Sequence, residues 1–393
     1  MVLAMSPWFS TAAVLPQLRE AWGLDRVAGS WLTIAVQIGF VVGAVGSSLV
    51  NLADRIPPRR LMLYGTVLAA AANAAPAWFD SYGPTLLARL VTGAALAAVY
   101  PPALKAMSTW FVRGRGLALG VMVGALTVGS GLPHVVNGVG GAGWRPVLLV
   151  TSAATIGGGL VAEFAGSDGP HRFPSAPFEP AAVGRALADP KVLLASAGYF
   201  GHMWELYAMW AWFGAFYADV LGEHGWADTT RPAAFAAAAV IGIGALGAAW
   251  AGWVSDRYSR ELSAAVPMLV SGTVAAVIGY LTALPPLLVL LLGLVWGAAV
   301  VADSAQFSTV VTEVADQRYV GTSLTVQLAS GFVLTVATIF LVPVVRDAWG
   351  WGPAFTLLAP GPLLGALAMR ALARRRAAEA PPVAPPAFVS PFF

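Results

Sequence analysis

The chain has 393 residues, 58% of them hydrophobic and only 10% charged, with a formal net charge of +3. A soluble domain usually carries about 25% charged residues, so a water-soluble enzyme or nucleic-acid binder is excluded, and 15 Trp with 18 Phe exclude a disordered chain. The absence of Cys removes disulfides, thiolate metal sites and thiol nucleophiles together.

Crossing about 30 Å of hydrocarbon as a helix takes about 20 apolar residues. The pattern predicts twelve such spans, at 1–17, 29–50, 61–79, 84–108, 115–136, 145–165, 192–217, 232–253, 262–282, 286–311, 321–344 and 353–370. The runs are continuous and rich in Ala, Leu, Val and Gly, which indicates helices rather than the alternating strands of a barrel. The first span begins at Met1 and carries Pro7 and Pro16, so it barely crosses; a start site placed a few residues late would explain this. Pro101-Pro102 should kink the fourth span. Residues 166–191 form a linker between six spans and six spans, and its Pro180–Asp189 portion suits a short surface helix. Residues 371–393 begin basic and turn Pro/Ala-rich, which predicts a disordered tail that touches lipid through Arg374–Arg376.

With the N-terminus inside, 16 Lys and Arg fall in inner connections and 5 in outer ones, with Arg89 left in a span. The positive-inside rule then predicts both termini in the cytoplasm. The expectation is an all-α integral membrane protein, multi-pass in a bacterial-type inner membrane, with residues 1–165 and 192–370 as two six-helix bundles.

The halves also repeat each other. Leu52-Ala53-Asp54-Arg55 with Arg59-Arg60 follows the second span, and Gly252-Trp253-Val254-Ser255-Asp256-Arg257-Tyr258-Ser259-Arg260 follows the eighth, with the Asp-Arg pairs 202 residues apart. Gly143-Trp144-Arg145 and Gly350-Trp351-Gly352 stand 207 apart, and Gly116 and Gly321 stand 205 apart.

On these residues the chain resembles the major facilitator superfamily (MFS) over essentially its whole length. That family carries a loop of the form G-x-L-A-D-R-x-G-R-R between helices 2 and 3, with a weaker copy between 8 and 9. Here Val50 replaces the leading Gly of the first copy, Pro57-Pro58 precede its arginines, and Ser259 replaces the later Gly of the second. The helix-4 motif R-x-x-x-G matches at Arg89 and Gly93, and Trp110-Phe111 followed by Arg113 and Arg115 also fits. The resemblance implies twelve helices in two pseudo-symmetric bundles, a helix-packing role for Gly93, and a gate on the inner face. In such a gate Asp54, Arg55, Asp256, Arg257 and Arg260 pair across that face or meet a neighbouring helix N-terminus. The alternative is that these residues only decorate inner turns. The Gly-rich Gly124–Gly131 segment with Pro133 matches the family's antiporter motif only loosely, and no Arg lies in the spans where nitrate porters place theirs.

Ionisable groups inside spans cost about 2.5–3.5 kcal/mol each at the centre and tend to mark transport paths. Arg89 suits a bidentate contact with a solute anion, or else a structural role on backbone carbonyls. Glu205 has His202 at i−3 and Trp212 at i+7 on one helical face, and Asp303 forms a polar seam with Trp296 and Gln306. Burial opposes ionisation of a carboxylate, so Glu205 and Asp303 are candidates to carry a proton, with His202 as relay; the alternative is acids that bridge helices. Tyr207, Gln306, Gln327 and Gln37 are further polar candidates. Among the aromatic residues Trp204, Tyr207, Trp210, Trp212 and Phe213, some are expected to face lipid and some the transport path.

The function these features imply is secondary active transport of a small organic solute, an organic anion by preference, by proton-coupled alternating access. Proton-driven efflux of cationic or amphiphilic drugs is the alternative, and a polytopic sensor or membrane enzyme the different class. No nucleotide-binding loop is present, and four scattered His carry no metal-ligand spacing, so no cofactor, metal or enzymatic chemistry is expected. Solute, protons and membrane lipids are the expected partners, without nucleic acid, and the protein is expected to be a monomer.

Overall fold

The computed structural model describes residues 1–379 other than 112, 141–142, 168 and 172–177, and the side chains of all of these except 53, 54, 186 and 187. Among the described residues all regular structure is helical. Ten helices are long and apolar enough to cross a membrane. Spans 2 to 6 are Arg26–Leu49, Pro58–Phe79, Tyr82–Ser108, Arg115–Gly140 and Trp144–Ala165. Spans 8 to 12 are Thr230–Ser255, Arg260–Tyr280, Pro286–Val314, Val320–Trp349 and Trp351–Glu379. Span 7, Pro190–Glu223, and a broken span 1 complete twelve, six on each side of the linker.

Local sequence sets the ends and the breaks. Asp25 accepts from the Ala28 amide at 2.6 Å to cap span 2, and Asp189 accepts from the Lys191 amide at 2.8 Å to cap span 7, where Pro190 takes the first helical position. Span 1 opens with tight turns (Ser6 N–H to Leu3, Trp8 N–H to Met5) and becomes helical over Ser10–Ala13 and Leu15–Trp22. It therefore runs past the expected end at 17, which gives it the missing length. Span 4 breaks between Leu96 and Tyr100, just before Pro101-Pro102, and span 10 breaks at Asp303. These two breaks fall at corresponding places in the two halves.

Other boundaries also lie beyond expectation. Span 7 continues to Glu223, and span 12 continues to Glu379, so residues 371–379 of the expected tail are helix. Arg376 fixes that end by donating to Glu261 at 2.6 Å and Glu313 at 3.1 Å. Residues 380–393 lie outside the described part. In the linker, Val183–Ala188 is a short helix.

The halves meet along two antiparallel seams. In the first, span 5 lies on span 8 through small residues. A Cβ on Gly116 would stand 2.6 Å from the Gly252 carbonyl, and one on Gly252 only 2.3 Å from that of Gly116. Gly120 approaches Ala248 in the same way, so backbone meets backbone. In the second, span 2 lies on span 11, with Arg26 and Asp347 at one end (2.6 Å), Phe40 and Phe332 in the middle, and Ser48 and Thr325 at the other end (3.3 Å). Contacts between the halves thus exist on both faces. The face that carries Asp256 and the Arg-rich connections is called the basic face below.

Within the first half, Gly93 of span 4 and Gly39 of span 2 allow the closest approach. A Cβ on Gly93 would lie 2.0 Å from the Val36 carbonyl, and one on Gly39 1.9 Å from that of Leu90. Gly93→Val must push the two helices apart, with an expected cost of at least about 1–3 kcal/mol. Melting in detergent should show a clear drop for this variant. Gly46→Ala, where a Cβ would meet nothing within 4 Å, should leave the transition unchanged or raise it.

Candidate functional site

Six aromatic rings fill the middle of the molecule between the halves. Trp8 and Phe9 come from span 1, Phe40 from span 2, Tyr207 and Trp210 from span 7, and Phe332 from span 11. Trp8 meets Phe40 at 4.9 Å between ring centroids, Tyr207 at 5.7 Å and Phe332 at 5.7 Å. Phe9 meets Trp210 at 5.6 Å, Tyr207 meets Phe332 at 5.2 Å, and Phe40 meets Phe332 at 4.4 Å. Such separations are those of packed rings, so the two halves are in contact through this layer. None of the six residues is charged.

The layer also holds polar atoms without partners. Trp8 Nε1, Trp210 Nε1, Thr11 Oγ1 and both amide atoms of Gln37 are buried and make no hydrogen bond. Gln37 precedes Phe40 by three residues on span 2, so the two share a helical face, and Thr11 follows Trp8 by three where span 1 turns into helix. An unmatched buried donor or acceptor costs about 1–3 kcal/mol. Other indoles behave differently. Trp22 donates to Asp80, Trp110 to the Ser167 carbonyl, Trp204 to Leu357, Trp212 to Ile339, Trp296 to Glu205 and Trp351 to Asp219. Two of these bonds answer a helix break. Pro343 has no N–H for the Ile339 carbonyl, and Trp212 supplies one at 3.0 Å. The Leu357 carbonyl is released where span 12 breaks, and Trp204 supplies its donor at 2.9 Å.

Arg89 is fully buried and committed to protein oxygens. It donates to the carbonyls of Trp8 at 2.6 Å, Pro7 at 3.0 Å and Leu32 at 3.3 Å, to Asn73 Oδ1 at 2.7 Å and to Ser10 Oγ at 3.1 Å. The geometry is that of the structural alternative: the guanidinium ties broken span 1 to spans 2, 3 and 4. Outside the spans, the indole of Trp22 and then Arg145 hold the Asp80 carboxyl below the ordinary carboxylate range.

The two buried acids lie inside the second half. Glu205 accepts from Trp296 at 2.6 Å and from Ser271 at 2.8 Å, joining spans 7, 10 and 9. Asp303 Oδ1 lies 2.8 Å from His202 Nδ1, a close contact without the angle of a straight hydrogen bond, and His202 Nε2 lies 3.2 Å from Ser304 Oγ. The expected seam of Trp296, Asp303 and Gln306 is therefore divided. Trp296 serves Glu205, Asp303 faces His202, and the Gln306 amide has no partner. Trp212 points to span 11 rather than to Glu205. Gln327 Nε2 is also buried without a partner. Span 7 is buried on all sides around these residues, so Tyr207, Trp210, Trp212 and Phe213 all avoid lipid and Trp204 is half-buried.

On the basic face, Asp256 Oδ1 and Oδ2 accept from the Gly116 and Leu117 amides at 2.9 Å each, at the N-terminus of span 5 in the other half. Arg257 lies over the ring of Trp253, and Arg260 pairs with Glu313 at 2.6 Å; both stay within their own half. Arg55 is exposed at the end of the Leu52–Arg55 helix, and the side chain of Asp54 lies outside the described part.

A family model described as Major Facilitator Superfamily matches residues 1–338. The chain belongs to that superfamily. Among solved structures, this MFS protein is similar to a D-xylose-proton symporter, with a TM-score of 0.72, 15% identity and 94% of each chain covered. A gallate transporter of Pseudomonas putida is 27% identical over 139 residues, which are 35% of this chain and 30% of the relative. A fujikurins efflux protein of Gibberella fujikuroi is 33% identical over 102 residues, 26% of this chain and 22% of the relative. The match thus spans less than a third of either curated relative.

Sequence reasoning missed Trp8, Phe9, Thr11, Phe40 and Phe332 in this MFS protein, because no local pattern brings spans 1, 2, 7 and 11 to one point. It also missed Asn73, the acceptor between Arg89 and span 6, where its amide reaches the Leu148 carbonyl and Ser152. If Arg89 is structural, Arg89→Ala leaves several buried oxygens unmatched and should destabilise by about 3 kcal/mol or more. Arg89→Lys should recover part of this. Thermal unfolding without solute reads the effect; wild-type stability in Arg89→Ala would return Arg89 to the list of solute ligands.

Proposed function

We propose that this MFS protein is a secondary active transporter that moves a small organic solute through the layer between its halves by alternating access, driven by protons carried on the His202–Asp303 pair. The observation that carries the reading is that pair: two buried ionisable groups in contact, Asp303 at the break of span 10 and His202 on span 7, the helix that also supplies Tyr207 and Trp210 to the layer. One face of span 7 meets the rings, and another meets the proton site. A shift of that helix is felt at both.

The physical basis of coupling is burial of charge. A neutral imidazole beside an ionised carboxylate leaves one net negative charge inside the bundle; a bound proton makes the pair neutral overall. Repacking around an uncompensated charge is expensive, and repacking around a neutral pair is not. Glu205, held by Trp296 and Ser271, braces spans 7, 9 and 10 around this site. The family and the likeness of fold to a proton symporter support transport, and the relatives named for gallate transport and for efflux accord with an organic solute. An anionic solute would look to Arg89 for its partner, and a cationic one to Glu205 or Asp303. All three are engaged elsewhere, so neither charge is favoured. Insertion in a bacterial-type inner membrane with the basic face in the cytoplasm follows the distribution of Lys and Arg.

Asp303→Asn and His202→Gln should uncouple the two fluxes in proteoliposomes. Exchange of solute at equal concentrations persists, while accumulation driven by a pH gradient falls to simple equilibration and the internal-pH signal disappears. Wild-type accumulation in both variants would refute the assignment of the proton site.

A further inference from the structure

Resting on the transport reading, we infer that the solute is an uncharged, planar aromatic compound that carries oxygen acceptors, bound between Trp8 and Trp210 with Gln37 beside it. Two independent observations meet here. The first is the layer itself, six rings from four spans that meet at tilted and edge-on angles from both halves. A planar ring entering it replaces ring–ring contacts with contacts of the same kind. A puckered or chain-like solute opens gaps instead.

The second is where the unmatched donors lie. Six indoles elsewhere each donate to an acceptor, two of them where a helix break exposes a carbonyl. Trp8 and Trp210, each 1% exposed, donate to nothing, and both belong to the layer. Gln37, at 0% exposure, has neither its donor nor its acceptor matched. Groups of this kind are satisfied by a ligand that brings oxygen acceptors to the indoles and a hydroxyl or amide to the glutamine. An indole N–H donates only, so the ligand must accept.

Charge is excluded by what the layer lacks. Trp8, Phe9, Thr11, Gln37, Tyr207 and Trp210 include no formal charge, and the Arg89 guanidinium nearest to Trp8 is held by that residue's own carbonyl and by Pro7, Asn73, Ser10 and Leu32. A carboxylate or ammonium placed here leaves water without a counter-ion.

The test compares three probes of similar size: para-hydroxybenzamide, its anionic relative para-hydroxybenzoate, and the cyclohexane analogue of the amide. Binding is read by the rise of the melting temperature in detergent, and transport by saturable flux above that of protein-free liposomes. Para-hydroxybenzamide should bind and be carried, and the other two should bind on the order of 10-fold more weakly or less. Trp8→Phe and Trp210→Phe keep a ring and lose the donor. Each should weaken binding of the amide by roughly 10-fold while unliganded stability stays equal to wild type or rises, because an unmatched donor has been removed. Trp212→Phe should do the reverse, lowering unliganded stability and leaving affinity unchanged.

Stronger binding of the benzoate, equal binding of the cyclohexane analogue, no binding of the amide, or unchanged affinity in both Trp→Phe variants each overturns the inference. The internal-pH assay with Asp303→Asn separates the two levels. Proton movement driven by another solute class leaves the transporter standing and removes the aromatic solute; no proton movement with any solute removes both.

Discussion

A carbonyl released by a helix break finds no water in hydrocarbon, so the protein must supply its donor. Much of this molecule is arranged around that requirement. The turns of span 1 leave the Pro7 and Trp8 oxygens without full helical bonding, and Arg89 collects both. Pro343 frees the Ile339 oxygen that Trp212 takes, and the break in span 12 frees the Leu357 oxygen that Trp204 takes. Asn137 answers the Ala13 oxygen at 2.7 Å, where the first span changes direction. Each repair joins a broken span to a neighbour, so irregular backbone becomes a source of tertiary order.

The repairs also explain which polar groups are left for function. Arg89, Trp204, Trp212 and Trp296 are large polar side chains inside spans, which is how a ligand-binding residue looks in sequence. Their donors are used by the protein itself. The indoles of Trp8 and Trp210 stay unmatched where the halves meet, among rings that contribute contact area from both sides. The buried His202–Asp303 pair sits apart from them, between spans 7 and 10 of the second half. Sequence symmetry between the halves is therefore not matched by symmetry of role: the break in span 4 carries prolines and no acid, while the break in span 10 carries Asp303.

Twelve spans, their division into six and six, and the family were legible because each rests on a local or periodic signal. Apolar runs mark the spans, and Asp54 with Asp256, or Trp144 with Trp351, mark the repeat. Gly93 was legible too, since its motif with Arg89 survives in one stretch of sequence. The role of Arg89 was not, because the sequence shows a charge in a span and not the carbonyls of Pro7 and Trp8 that meet it from another helix. Helical periodicity placed Trp212 on the face of Glu205, but a helix buried on all sides has no single inward face, and Pro343 on a distant span decided where the indole points. The aromatic layer was invisible for the same reason: its members come from four spans, and only the packing of the halves joins them.

Asp256 at the N-terminus of span 5 has a consequence for motion. The carboxylate is exposed, so when the basic face parts, both it and the Gly116 and Leu117 amides pass to water at little cost. As a lock it is weak. Its two oxygens nevertheless meet two successive amides, and that match exists at one angle and one offset between the halves. Arg26 with Asp347 supplies a similar mark at the far end of the other seam. The molecule is thus indexed at both ends by contacts that are shallow in energy and narrow in geometry.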